Sequence, residues 1–108
     1  MSAYQVVLFD KKDRTPVEDF ILSLSDSTIA KIFSRFELLE LLGPDLGMPN
    51  VKRIVGTLYE LRIRGREEVR LLFAISKTNI YVVHGFKKKK DRIPLKEIKI
   101  AQTRLTQI

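Results

Sequence analysis

The chain is 108 residues long, 44% hydrophobic and 31% charged, with a formal net charge of +7, no cysteine and one histidine. That is enough for one domain, residues 1–108, around a single core. The composition excludes disulfides, thiolate metal sites and a His-rich metal centre, so neither a metal nor a cofactor is expected.

The N-terminus, MSAYQVVLFDKKDR, lacks the basic start, apolar stretch and small-residue cleavage site of a signal peptide. No segment reaches the ~20 apolar residues of a membrane span, so a cytoplasmic protein with no membrane partner is expected. Tyr4 to Phe9 is a β-rich run and predicts the first strand, ended by the polar run Asp10 to Arg14. Thr15-Pro16-Val17-Glu18 has the form of a capping box with proline at the first helical position. Val17, Phe20, Ile21 and Leu24 follow at the spacing of one helical stripe. Ser25-Asp26-Ser27 breaks that helix and offers the next cap. A second helix is predicted from Thr28 to Leu42, with Ile29, Ile32, Phe33, Phe36 and Leu39 on its core face. Gly43 and Pro44 close it.

Residues 43–56 hold three glycines and two prolines and read as a long loop carrying Lys52 and Arg53. Three strand-like runs come next: Thr57 to Arg64, Val69 to Ser76 and Ile80 to Phe86. The turns Gly65-Arg66-Glu67 and Lys77-Thr78-Asn79 separate them. Consecutive antiparallel strands usually pair as neighbours, so a β-meander is expected. A basic run, Lys87 to Lys90 with Asp91 and Arg92, precedes Pro94, which opens a last helix with Leu95, Ile98, Ala101 and Leu105 inward. The expected fold is α+β in the order β-α-α-β-β-β-α. Two helices should pack on one face of a small antiparallel sheet and leave the other face partly open.

The charge is divided between the halves. Residues 1–51 carry five Lys/Arg against eight acids, a net of −3, and residues 52–108 carry fifteen against five, a net of +10. Such asymmetry points to a polyanion-facing surface in the second half. Side chains two apart on a strand share a side, so Arg62 and Arg64 project together with Glu60, and Arg70 can join them from the neighbouring strand. Guanidinium groups match phosphate oxygens with a planar donor fork and stay charged. Preorganised cations also stabilise the charge that builds on a phosphorane when a 2′-hydroxyl attacks RNA. A solvated arginine face paired with Glu60, Glu67 and Glu68 explains the same spacing, and a lysine run is commonly a solvated turn. His84 ends an apolar strand, where a packed structural histidine is commoner than a general base. Tyr59 and Tyr81 have the parity of core or rim. No Ser/His/Asp set, Walker loop, GxGxxG or HExxH is present.

From about Leu58 to Arg104 the chain resembles the phage-derived, HigB-like branch of the RelE/ParE toxin superfamily. The residues that carry the resemblance are Leu58-Tyr59-Glu60-Leu61-Arg62-Ile63-Arg64, Val69-Arg70-Leu71-Leu72-Phe73, Val83-His84-Gly85-Phe86-Lys87-Lys88-Lys89, and Pro94 with the helix through Ala101 and Arg104. The resemblance implies a toxin of a type II toxin–antitoxin system, a metal-independent endoribonuclease that cuts mRNA on the ribosome. It implies a cognate helix-turn-helix antitoxin of the HigA kind, in a toxin–antitoxin hetero-oligomer. By position it implies catalytic roles for Arg62, Arg64, Arg70, Lys87 and Lys88, with Arg70 holding phosphate, and RNA-binding roles for Lys52, Arg53, Arg66, Lys89 and Lys90. The C-terminal tyrosine of some members is missing after Tyr81, which leaves His84 and Glu60 as candidates for the general base, beside a lysine of lowered pKa. ParE-like members that inhibit gyrase, and non-catalytic or decayed nucleic-acid-binding modules, are the alternatives.

Overall fold

The computed structural model describes residues 2–108. β1 (Gln5–Leu8) leads to α1 (Pro16–Leu22) and α2 (Asp26–Leu42), and a short 3-10 helix (Gly43–Leu46) follows. Then come β2 (Val51–Val55), β3 (Leu58–Ile63), β4 (Val69–Ser76), β5 (Asn79–Lys87) and α3 (Leu95–Leu105). The strands form one sheet in the order β1-β5-β4-β3-β2, and every pair is antiparallel except β1 with β5. The α+β class and element order follow the sequence expectation with two corrections. The segment read wholly as a loop contains β2, and the sheet is mixed. α1 and α2 carry the chain from β1 to β2 at the opposite edge of the sheet, and three antiparallel reversals then bring β5 back beside β1 in the same direction. Val51-Lys52-Arg53-Ile54-Val55 is itself rich in β-branched residues, and Gly56, at φ 57°, turns it into β3.

The caps are local chemistry. Thr15 does not close the capping box, because its hydroxyl donates to Asp19 Oδ1 at 3.0 Å and leaves Pro16 to start α1. The Ser25 hydroxyl caps α2 by accepting from the Thr28 amide.

α1 and α2 pack on one face of the sheet. Val17, Ile21, Ile32, Phe36 and Leu39 bury there with Leu61, Leu71, Phe73 and Val82. Phe33 is a correction: it is 48% exposed and meets Phe36 edge-on, because the inward stripe runs through Ile32, Phe36 and Leu39. Gly85 lets α1 approach β5, since a Cβ there would stand 2.6 Å from Phe20 and 2.7 Å from Leu71.

α3 lies on the opposite face, against β5 and β4. Ile98, Ala101 and Leu105 pack towards the core, whereas Leu95, expected inward, is 71% exposed at the first turn. Among the described residues no helix is long and apolar enough to cross a membrane.

Candidate nucleic-acid interface

Register fixes which side chains meet. Across β3 and β4, Arg62 lies opposite Arg70 and Glu60 opposite Leu72. Across β2 and β3, Lys52 lies opposite Glu60. Opposed residues point to one side, so Lys52, Glu60, Arg62 and Arg70 share the face that α3 only partly covers. On β5 the register slips at Val83, so that Leu72 pairs with His84 and Phe73 with Val82. This bulge turns His84 and Phe86 onto the same face, where unbroken alternation would have left them with Val82 beneath α1.

A cleft of about 320 Å³ opens there, between β2, β3 and the segment before α3. Lys52, Arg53, Arg62, Lys88 and Arg92 bring five cations to it, against two carboxylates, Glu60 and Asp91. Ile54, Ile93 and Ile98 give it apolar walls. Glu60 is 4% exposed and sits between the two arginines, its Oε1 3.7 Å from Arg62 Nε and its Oε2 3.8 Å from Arg70 Nε. These separations bring attraction without hydrogen bonds, and Glu60 Oε2, Arg62 Nε and Arg70 Nε all lack a hydrogen-bond partner. A buried polar atom left unmet typically costs about 1–3 kcal/mol, and these three lie together on one carboxylate and the two guanidinium groups beside it.

Arg70 does not stand on an open surface as the sequence led us to expect. It is 1% exposed, its Nη1 donates to the Val69 carbonyl at 2.9 Å, and its Nη2 lies 3.9 Å from Glu68. Burial draws its guanidinium below the ordinary arginine value against the pull of Glu60, and it remains a cation. It supports the floor of the cleft from beneath, next to Glu60, without lining it.

The other expected site residues divide. Arg62, Lys52, Arg53, Lys88 and Glu60 are brought together, although Arg53 also spends its Nε on the Gly56 carbonyl. Arg64 lies just past β3, is exposed, and borders a small hollow with Lys31 and Glu67 instead of the cleft. Arg66 is exposed beside that hollow. Lys87 turns away and pairs with Glu67 at 3.0 Å. Lys89 and Lys90 line a neighbouring groove with Phe86 and Gly85. Arg92 and Asp91 were missed, although half-buried Ile93 pulls the basic run back against the sheet beside Ile98.

His84 is fully engaged. Its Nε2 meets Glu97 Oε1 at 2.8 Å and its Nδ1 meets Arg104 Nη1 at 3.3 Å. Arg104 can only donate, so Nδ1 is the acceptor and Nε2 carries the proton given to Glu97. Burial lowers the His84 pKa, with Glu97 pulling the other way and Arg104 adding to the fall. Both nitrogens therefore serve to fasten α3, and neither is offered to the cleft. Among the described residues no group of His, Asp and Glu is arranged to hold a metal ion.

Residues 19–106 match the model of a family described as Phage derived protein Gp49-like (DUF891). No curated protein matches the chain.

Proposed function

The chain belongs to the Gp49-like family of phage-derived proteins, within the RelE/ParE-like toxins, and from that premise we propose that it is the toxin of a type II toxin–antitoxin pair, a metal-independent endoribonuclease acting on mRNA at the ribosome. The observation that carries the reading is the cationic cleft lined by Lys52, Arg62, Lys88 and Arg92 around Glu60, with Arg70 buried beneath it. Arg62, Lys52, Lys88 and Arg92 hold the scissile phosphate and offset the charge that grows on it. Glu60 takes the proton of the 2′-hydroxyl as its oxygen attacks phosphorus. The phosphorus–O5′ bond breaks, and the Lys88 ammonium supplies a proton to the departing oxygen. The products are a 2′,3′-cyclic phosphate and a 5′-hydroxyl end. Glu60 is preferred to His84 as base because it lines the cleft, while both His84 nitrogens are occupied by Glu97 and Arg104. Lys89 and Lys90 line the neighbouring groove and attract RNA at longer range. The partner that silences the toxin is a helix-turn-helix antitoxin of the HigA kind, in a hetero-oligomer.

The test is induced expression without antitoxin, with transcript ends mapped by primer extension. Wild type is expected to arrest growth and leave discrete cuts. Arg62→Ala, at the wall of the cleft, should lower cutting by about 10²–10³ while the protein stays folded. Intact transcripts in arrested wild-type cells, together with loss of supercoiling by purified gyrase, would replace the ribonuclease by a gyrase inhibitor.

A further inference from the structure

A second groove, of about 430 Å³, runs on the far side of α3 from the cleft. It lies between the outer side of α3 and the tight turn at Lys11 to Arg14, whose two ends exchange backbone hydrogen bonds of 3.0 Å. The turn places Lys12 at φ 56°, a left-handed conformation that a lysine rarely adopts, closed by the paired backbone bonds of Lys11 and Arg14. Phe9, Pro16 and Ile100 form an apolar seat, and Lys11, Arg14 and Lys99 stand around it. No carboxylate lines the groove, and none of these three cations makes an ion pair among the described residues. The groove shares no lining residue with the cleft.

We infer that this groove is the docking seat of an acidic peptide segment with an apolar anchor, presented by the antitoxin; the identity of the partner rests on the toxin reading above. Three unpaired cations select carboxylates, and the apolar seat selects an aliphatic side chain between them. RNA fits the seat less well. Stacking a base needs a free ring face, and the Arg104 guanidinium already lies over Phe9, 5.4 Å from the ring centroid. Arg104 is itself pinned by its 2.8 Å bond to the Val83 carbonyl, so the lid on that ring is fixed. Ile98 faces the cleft and its neighbours Lys99 and Ile100 face the groove, so a partner seated here grips α3 from the side away from the active centre.

The probe is a fluorescein-labelled peptide of about twelve residues made of Glu, Asp and Leu, titrated with the full chain and read by fluorescence anisotropy. Saturable binding is expected for wild type. Lys11→Glu/Arg14→Glu/Lys99→Glu and, separately, Ile100→Asp should each weaken it about tenfold or more, while Lys52→Glu/Lys88→Glu in the cleft leaves it within about twofold. No saturable binding by wild type, equal loss in the cleft variant, or an Ile100→Asp protein that binds as wild type would overturn the proposal. So would a single-stranded RNA of equal length whose affinity falls more than the peptide's in the triple variant. Thermal melts confirm that each variant is folded. If wild type cuts no transcripts, the catalytic reading fails while the peptide titration still decides the groove.

Discussion

Arg62 and Arg70 face each other across β3 and β4, yet one borders the cleft and the other is sealed within the sheet. Glu60 lies between them and offsets their repulsion. The two substitutions should therefore separate. Arg70→Ala removes a buried cation and leaves Glu60 short of a partner, a change that typically costs about 3–5 kcal/mol. Arg62→Ala keeps the Glu60–Arg70 pairing and should cost less stability than Arg70→Ala while abolishing most cutting. Urea denaturation beside transcript-end mapping checks both. An Arg70→Ala protein as stable as wild type would show that the arginine is not part of the floor.

Gly85 gives a second test, made of packing alone. A methyl group there meets Phe20 and Leu71 well inside contact distance. Gly85→Ala should destabilise by about 1–3 kcal/mol, and trimming Phe20 to Leu in the same chain should return part of the loss. A double-mutant cycle of denaturation midpoints measures the coupling, and purely additive effects would mean that α1 does not press on β5.

The strands and helices were legible because their cues are local. Proline at Pro16, the Gly43-Pro44 stop and the apolar, β-rich run of β4 each state their structure within a few residues. β2 was not, since its glycine- and proline-rich approach hides a five-residue strand, three of its residues β-branched, whose pairing depends on β3. Period-two geometry put Glu60, Arg62, Arg64 and Arg70 on one face; this holds for Glu60, Arg62 and Arg70, whereas Arg64 lies just past the end of β3 and borders another hollow. The sealing of Arg70 did not follow, because it depends on neighbours that sequence spacing does not place. The bulge at Val83 is equally invisible to alternation, and it decides which face receives His84. Arg92 was missed for the same reason: what brings it to the cleft is Ile93 docking against the sheet.

His84 makes stability depend on pH with a definite sign. Its folded pKa is lowered, chiefly by burial, so the unfolded chain binds the proton more readily. The contribution of neutral His84 is complete above the unfolded value near 6.5 and is lost as pH falls below it towards the lower folded value. The melting temperature should drop between pH 7.5 and 5.5, and His84→Gln, which still offers a donor to Glu97, should flatten the drop within this window. An unchanged acid slope in that variant would place the titrating group elsewhere.

Glu67 supplies the next step down in pH. Its carboxylate accepts from the Ser25 hydroxyl at 2.7 Å and from the Ser25 amide at 2.9 Å, and it pairs with Lys87 at 3.0 Å. These bonds, led by the Ser25 hydroxyl, bring its pKa down from 4.5 to about 2. A depressed carboxylate stabilises the fold above its unfolded value and loses that contribution as the proton returns, here between pH 4.5 and about 2. Ser25 is also the cap of α2, so Ser25→Ala removes two effects at once: about 1 kcal/mol of capping, and most of the Glu67 contribution, which is full at neutral pH and fades on acidification. Glu67→Gln should remove the second and spare the first. Denaturation curves at pH 7 and pH 3.5 distinguish them: the Ser25→Ala deficit should be present at pH 7, and the wild-type advantage over Glu67→Gln should shrink at pH 3.5. If Glu67→Gln and wild type lose stability in parallel on acidification, the Ser25–Glu67 bridge between α2 and the β3–β4 turn is not what holds this carboxylate ionised.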